Sequence, residues 1–301
     1  MPNKTYSRIT SIPKGSASKR LTPGCICLEG GAFRGLYTSG VLDALMIHDI
    51  NMQTVIGVSA GAMNGMNYAA GQIGRSARIN LSYRHDSRYV GAKAMIRNHG
   101  VIGFDFVLDQ VKEEEPFDED TFNNPVRRFI AVATSLETGE AAFFEKGKDD
   151  IYAGVQASAS MQFVSEPVMI DDKPYLDGGV AMSIPFKWAL DNNYEKIIVV
   201  RTRPGDYRKS VPTGNEALIK TMYSKYPEYM QALSTHHERY NADCDQIKEL
   251  ERQGRILVIE PQGPVEIGRL EPDMEKLGTL YHRGYEDVEY KLSLIKSYLR
   301  K

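Results

Sequence analysis

Two strand–turn–helix units follow one another in residues 25–70, whose sequence is CICLEGGAFRGLYTSGVLDALMIHDINMQTVIGVSAGAMNGMNYAA. In each unit a short apolar run precedes a glycine-rich turn and then a longer stretch with helical character. The first unit predicts a strand at 25–28 and a helix at 36–46, and the second predicts a strand at 54–56 and a helix at 60–70. This alternation is typical of an α/β protein with a largely parallel central sheet.

The same alternation continues beyond these units. Apolar runs predict strands at 129–134, 141–144, 168–170 and 197–201, with a helix between 150 and 159. Residues 88–111, where glycines interrupt an apolar stretch, are interpreted as an insertion over the sheet. Beyond residue 204 the pattern becomes mainly helical, with one strand at 255–259. We therefore expect a flexible basic tail at 1–22, a catalytic α/β domain at 23–204 and a mainly helical region at 205–301.

The composition is that of a folded protein rather than a disordered one, since 42% of the 301 residues are hydrophobic and 25% are charged. A formal net charge of −2 provides no field that would attract DNA or RNA, so we expect no nucleic-acid partner. The three cysteines lack the spacing of a zinc site or a disulfide framework, which favours a reducing compartment and predicts no metal and no cofactor. Neither a secretory leader nor a membrane-length apolar run occurs, so we expect a cytoplasmic protein without an integral membrane segment.

The sharpest local motif is Gly57-Val58-Ser59-Ala60-Gly61, which lies between a predicted strand and a small-residue helix. A nucleophilic serine at such a turn has a strained backbone that only small neighbours tolerate, and Gly57 and Gly61 meet that demand. Its hydroxyl would lie at a helix N-terminus, where free N–H groups favour negative charge. The alternative is an ordinary glycine-rich turn in which Ser59 caps the helix.

A second motif, Gly30-Gly31-Ala32-Phe33-Arg34-Gly35, also joins a predicted strand to a helix. Its backbone N–H groups could converge on an anion, either a bound phosphate or the oxyanion of a reacting ester. A phosphate loop is disfavoured because the segment has no Gly-Lys-Ser/Thr ending and no Gly-x-Gly-x-x-Gly pattern. Neighbouring parallel strands would bring this loop and Ser59 to the same edge of the sheet.

The third motif is Asp177-Gly178-Gly179, which by itself indicates no more than a tight turn. Six histidines are present, and none has a setting that marks it as a catalytic base. The chain order Ser59, Asp177, His236 or His237 nevertheless matches that of α/β-hydrolases, so a histidine-dependent triad remains an alternative.

Together, the three ordered motifs resemble those of the patatin-like phospholipases, over about residues 23–203. The resemblance implies a three-layer α/β/α core, with Ser59 as nucleophile and Asp177 as the base of a Ser–Asp dyad without histidine. It also implies that the loop Gly30–Gly35 forms the oxyanion hole, with Gly57, Gly61, Gly178 and Gly179 in supporting roles. One position departs from the family pattern, because Ala32 stands where many members have a third consecutive glycine. If this position requires a positive φ angle, alanine would strain the loop.

The substrate implied by the resemblance is a lipid or other acyl ester, reached through transient contact with a membrane surface. Five methionines could line an acyl groove, although their adaptable side chains favour the interpretation that they fill the core: Met63, Met66, Met95, Met161 and Met182. Two further alternatives are a binding protein that retains the hydrolase fold without turnover and a nucleotide-binding protein that uses the Gly30–Gly35 loop. The helical C-terminal region is assigned no chemistry.

Overall fold

The computed structural model describes residues 4–111, 113–211, 214 and 216–300. In these residues the fold is built on one mostly parallel sheet of eight strands. The strands of the chain are β1 (Gly15–Ser16), β2 (Thr22–Leu28), β3 (Met52–Val58), β4 (Gln72–Ile73), β5 (Arg128–Ser135), β6 (Ala141–Glu145), β7 (Val168–Ile170), β8 (Lys173–Asp177), β9 (Ile197–Val200) and β10 (Leu257–Ile259). The main sheet has the order β10-β9-β2-β3-β5-β8-β7, with β6 also paired to β5, while β1 and β4 form a separate two-stranded sheet. The strands from β10 to β5 are parallel, and β6, β8 and β7 pair antiparallel.

The helices are α1 (Gly35–Ile47), α2 (Ala60–Ala69), α3 (Arg75–Tyr83), α4 (Ala92–Asn98), α5 (Glu119–Asn123), α6 (Ile151–Ala159), α7 (Phe186–Asp191), α8 (Glu216–Tyr223), α9 (Pro227–Arg252) and α10 (Met274–Arg300). Neighbouring residues of the central strands belong to two different hydrophobic clusters, because successive strand side chains point to opposite faces. Ile26 and Leu28 pack with α1, α2, α6 and α10, whereas Cys25 and Cys27 pack with α7 and α9. Both faces of the sheet are therefore covered, and the predicted three-layer α/β/α architecture is confirmed.

The N-terminal segment differs from the flexible tail that the sequence predicts. Tyr6 and Ile12 are buried, and β1 pairs with β4. The Tyr6 ring packs on α10, where a Cβ at Gly278 would lie 2.2 Å from it. Apolar side chains within this basic segment thus hold it against the body of the protein. Residues 1–3 of the predicted tail lie outside the described residues.

The C-terminal region completes the same sheet and the same core. Strand β10 pairs in parallel with β9 at the edge of the sheet. Helices α1 and α10 approach closely because Gly40 and Gly284 lack side chains, since a Cβ at either would lie about 2 Å from a carbonyl oxygen of the other helix. Asp43 of α1 accepts a 2.9 Å hydrogen bond from the Tyr281 hydroxyl of α10. The boundary expected near residue 204 does not divide the sheet, and 212, 213, 215 and 301 lie outside the described residues.

The segment 88–111 lies against the core rather than in solvent. Phe104 and Phe106 are buried, while Met95 and Ile96 on α4 are exposed. A π-helical turn spans Phe106–Gln110 and places Val107 towards the site described below. The insertion that the sequence predicts therefore contributes one wall of an internal pocket.

Candidate active site

Ser59 forms the turn between β3 and α2 with a backbone that L-residues rarely adopt, at φ 55° and ψ −122°. Such strain persists only where the surroundings enforce it, and it is common at functional sites. A Cβ at Gly57 would lie 2.5 Å from the backbone of Gly61, and a Cβ at Gly61 would lie 2.5 Å from the Leu28 carbonyl oxygen. Glycine at both positions therefore lets the turn close tightly against β2, as the motif predicts.

Ser59 and Asp177 are in direct contact, although 118 residues separate them in the sequence. The Ser59 hydroxyl donates a 2.6 Å hydrogen bond to Oδ2 of Asp177. The other carboxylate oxygen, Oδ1, accepts a 2.7 Å hydrogen bond from the Gly179 N–H. Each oxygen thus has a distinct partner, and Oδ2 is directed at the hydroxyl proton.

The position of Asp177 follows from the antiparallel strand β8. Its last residue pairs with Ala133 of β5, one position beyond Val132, which pairs with Val58. A Cβ at Gly178 would lie 2.1 Å from the Val132 carbonyl oxygen, so only glycine lets the chain turn this close to β5. Burial raises the pKa of Asp177 above its ordinary value of 3.8, while the hydrogen bonds from Ser59 and Gly179 oppose that shift.

The glycine-rich loop between β2 and α1 lies beside Ser59 and lines the same cleft. Three of its N–H groups are already engaged, because Gly30 donates to Ser183, Phe33 to Arg269 and Arg34 to Gly31. The Gly35 N–H lies within the 3₁₀ turn that opens α1. Among the described residues, the N–H groups of Gly31 and Ala32 make no hydrogen bond. These two amides are the donors left for a bound anion.

Ala32 has a φ angle of +48°, which is the left-handed region that favours glycine. The position where the family pattern has glycine therefore does require a positive φ, and alanine tolerates it with strain. Gly31, by contrast, is extended at φ −177°. Its constraint is space, because a Cβ there would lie 2.7 Å from Oγ1 of Thr202.

Three polar side chains that the motifs do not contain hold this arrangement together. The Ser158 hydroxyl accepts a 2.8 Å hydrogen bond from the Ser59 N–H and donates a 2.6 Å bond to the Val132 carbonyl oxygen. Buried Glu29 accepts a 2.5 Å hydrogen bond from the Thr202 N–H, and the Thr202 hydroxyl lies 3.2 Å from the Gly30 carbonyl oxygen. Sequence reasoning missed them because a lone Ser, Glu or Thr carries no pattern that reports a distant partner.

No histidine contacts Ser59 or Asp177 in the part of the chain that the structure describes. Each of the six has another partner: His48 with Glu289, His85 with the Pro272 carbonyl, His99 with Glu166, His236 with the Leu233 carbonyl, His237 with Glu238 and His282 with Ser11. Of the six, His236 lines the cleft beside Asp177. Burial lowers the pKa of His236 to about 4, which makes it neutral at pH 7.

A largely apolar pocket opens beside Ser59. Its walls come from α1, α2, α3, α6 and the 88–111 segment, and they include Ile79, Phe104 and Val107. Of the five methionines singled out in the sequence, Met63, Met66 and Met161 line this pocket. Met95 is exposed on α4, and Met182 packs against the opposite face of the sheet. The lining of this pocket is therefore largely apolar.

A second, more polar pocket also opens at Ser59 and is lined by Asp177 and Gly31. Ser59 thus lies where an apolar and a polar cavity meet.

Within the described ranges, no group of three or more His, Cys, Asp and Glu side chains could hold a metal ion. In those same ranges, no helix has the length and apolar character needed to cross a membrane.

Two family models match the chain. One is described as patatin-like phospholipase and matches residues 26–190, which contain all three motifs. The other is described as a domain of unknown function, DUF6363, and matches residues 226–300, which include α9, β10 and α10.

Two curated relatives of this chain are both named as uncharacterized. YjjU of Escherichia coli, named as an uncharacterized protein, is 26% identical over 251 residues, which are 81% of this chain and 70% of that protein. An uncharacterized NTE family protein of Mycobacterium bovis is 28% identical over 188 residues, 62% of this chain and 50% of that protein. The chain thus spans about half the length of the mycobacterial relative. Among solved structures, VipD from Legionella pneumophila aligns with a TM-score of 0.45 at 13% identity, over 94% of this chain and 68% of that chain.

Proposed function

We propose, because the chain belongs to the patatin-like phospholipase family, that it hydrolyses fatty-acyl esters through an acyl-serine intermediate with a Ser–Asp dyad. The observation that carries the proposal is the 2.6 Å hydrogen bond from the strained Ser59 to Oδ2 of the buried Asp177, at the junction of an apolar and a polar pocket. The substrate is a lipid acyl ester, with the acyl chain in the apolar pocket.

In the first half of the reaction, Oγ of Ser59 attacks the ester carbonyl while Oδ2 of Asp177 accepts the hydroxyl proton. The tetrahedral oxyanion receives hydrogen bonds from the free N–H groups of Gly31 and Ala32, which are fixed before the substrate arrives. Collapse of this intermediate breaks the bond to the leaving alcohol, and Asp177 returns its proton to that alcohol. The acyl group remains on Ser59.

In the second half, a water molecule takes the place of the alcohol. Asp177 accepts its proton as the water attacks the acyl carbonyl, and the proton then passes to Oγ of Ser59 as the fatty acid leaves. An ordinary aspartate is a weak base for a hydroxyl group. Burial of Asp177 raises its pKa, and the direct contact with Ser59 removes the need for an intervening histidine.

Covalent labelling tests the nucleophile. An alkyl fluorophosphonate should modify the wild-type protein, and peptide mapping should locate the adduct on Ser59. Ser59→Ala should abolish both labelling and hydrolysis of a p-nitrophenyl acyl ester, whereas Ser234→Ala, at an exposed serine of α9, should alter neither. A Ser59→Ala variant that keeps more than about a tenth of the activity would overturn the assignment.

The base is tested by comparing Asp177→Asn with six single His→Ala variants. Asparagine retains the size of aspartate but cannot accept the proton, so kcat should fall at least about 10³-fold. Each histidine variant should keep its activity within about tenfold, because none of these rings touches the dyad. Collapse of activity in the His236 or His237 variant, with the fold intact by circular dichroism, would favour the triad. Full folding without labelling or turnover on any ester would favour a non-catalytic binding protein.

A further inference from the structure

The polar pocket beside Ser59 is strongly cationic. Four basic side chains line it, namely Arg34, Arg203, Lys209 and Arg269, against only two carboxylates, Glu29 and Asp177. Both carboxylates are already engaged, because Glu29 accepts hydrogen bonds from Thr202 and from the Tyr240 hydroxyl at 2.8 Å, and Asp177 accepts those of Ser59 and Gly179. Because four cations face two carboxylates, an excess of positive charge remains in the pocket.

The four cations have no ion-pair partner among the described residues. Arg34 and Arg203 donate only to carbonyl oxygens, those of Ile267 at 3.3 Å and Val265 at 3.0 Å, and the buried Nε of Arg34 makes no hydrogen bond. The Lys209 ammonium group donates only to the Ser183 hydroxyl, at 3.2 Å. Like charges gathered in a partly buried site repel one another unless an anion binds between them.

The aromatic rings of this pocket are already covered by the protein's own cations. The Arg203 guanidinium lies 4.5 Å from the ring centre of Tyr207, and the Lys209 ammonium lies 4.2 Å from that of Tyr240. A quaternary ammonium group is recognised through such ring faces. A choline headgroup would therefore meet both occupied rings and like charge, whereas an anionic group would meet several free donors.

We propose that this pocket binds a phosphate monoester on the leaving alcohol, so that the enzyme prefers acyl esters whose leaving group has a net negative charge from that phosphate over zwitterionic phosphocholine esters and uncharged ones. The proposal rests on the proposed function, since it places the acyl chain in the apolar pocket and the leaving group opposite it. Arg269 and Leu270 reflect this division, because Arg269 lines the polar pocket and its neighbour Leu270 lines the apolar one.

Three of the four cations lie beyond residue 200, outside the segment matched by the patatin-like family model. Arg203 and Lys209 lie in the loop after β9, and Arg269 lies in the loop before α10. The loop that contains Arg269 is linked to the glycine-rich loop, because the Arg269 carbonyl oxygen accepts a 3.3 Å hydrogen bond from the Phe33 N–H. The C-terminal region thus determines the specificity of a site whose dyad lies in the α/β core.

Substrate specificity tests the proposal directly. The wild-type protein, Arg269→Gln, Lys209→Gln and the control Lys248→Gln are compared on three oleoyl esters, those of glycerol 3-phosphate, glycerophosphocholine and glycerol. The wild-type kcat/KM should be at least about tenfold higher on the phosphate ester than on the other two, since charged hydrogen bonds of this kind are the strong ones. That ratio should fall about tenfold in the Arg269 and Lys209 variants.

The control variant separates pocket charge from net charge. Lys248 is exposed on α9, so Lys248→Gln removes one positive charge away from the pocket and should leave the ratio as it is in the wild type. Arg269→Gln retains the backbone carbonyl that accepts from Phe33. Equal ratios in all four proteins, or a wild-type preference for the choline or glycerol ester, would overturn the proposal.

The pH dependence of the ratio provides a second readout. Burial lowers the pKa of Lys209 to about 8, with Arg269 and Arg34 adding to the lowering and Glu29 and Asp177 opposing it. His236 also faces Lys209 and is neutral at pH 7. The preference for the phosphate ester should therefore weaken as the pH rises above about 8 in the wild type, and Lys209→Gln should lack this change. A ratio that stays flat in the wild type would contradict the role of Lys209.

Binding without turnover distinguishes failure of this inference from failure of the proposed function. Glycerol 3-phosphate should raise the Tm of the wild-type protein, and the shift should be smaller in Arg269→Gln and Lys209→Gln but not in Lys248→Gln. If the fluorophosphonate does not label Ser59, the proposed function fails whatever this shift shows. If Ser59 is labelled and glycerol 3-phosphate does not bind, only the anion pocket is refuted. If inorganic phosphate raises the Tm as much while the ester ratios are equal, the pocket binds free phosphate, and the proposal is overturned.

Discussion

Replacing Ala32 by glycine should stabilise the protein, although glycine normally destabilises a folded chain. Ala32 has a φ angle of +48°. A left-handed backbone costs an L-residue about 1–2 kcal/mol, a penalty that glycine does not have. Glycine also makes the unfolded chain more flexible, which costs about 0.4–1 kcal/mol. The balance is a net gain of about 0.5–1 kcal/mol in the free energy of unfolding.

Thermal unfolding monitored by circular dichroism measures this balance. For a chain of this size, Ala32→Gly should raise the Tm by about 1–3 °C. The matched control is Ala242→Gly at an exposed position within α9, where glycine should cost about 1 kcal/mol and lower the Tm. The diagnostic result is a Tm that increases in Ala32→Gly and decreases in Ala242→Gly. A decrease in Tm for both variants would refute the argument that the loop is strained at Ala32.

Three further predictions concern the reaction itself, each measured on a p-nitrophenyl acyl ester. Ser158→Ala removes the acceptor of the Ser59 N–H. The misplaced nucleophile should lower kcat about 10²-fold, with a smaller change in KM. A wild-type kcat would contradict the positioning role of Ser158. Gly31→Val places a side chain against Thr202 and should lower kcat at least about 10²-fold, as loss of an oxyanion donor does; equal effects on kcat and KM would exclude an oxyanion role. Because Asp177 must be ionised to accept a proton and burial raises its pKa, kcat/KM should fall as the pH decreases through a value above 3.8, and a limb at or below 3.8 would contradict the desolvated base.

The α/β class and the turn that holds Ser59 could be predicted because both depend on local physics. Apolar runs separated by glycine-rich turns indicate buried strands and helices, because the spacing of apolar residues along the chain differs between the two. The steric demand of the turn is met by Gly57 and Gly61 within five residues of sequence. The strain at Ala32 is also local. The sequence indicates it because alanine stands where the family pattern has glycine, and the backbone of the structure has the positive φ angle that causes it.

The strand β8 shows the limit of that reasoning. The sequence does not predict this strand, since Lys173 and Pro174 interrupt its apolar pattern. Its pairing with β5 nevertheless decides that Asp177 meets Ser59 from 118 positions away. Which strands become neighbours depends on packing across the whole sheet, and an isolated Asp-Gly-Gly contains no record of it.

The fold class, the strained serine and the glycine-rich loop can be predicted without a structure, because each is encoded in a short run of residues. Three other features depend on the folded chain: the N-terminal segment packs on α10, β10 extends the sheet, and Arg269 lies at the pocket beside Ser59. These contacts join parts of the chain that are far apart, and their side chains show ordinary polar or apolar character in the sequence. Their role arises only from the neighbours that folding brings to them.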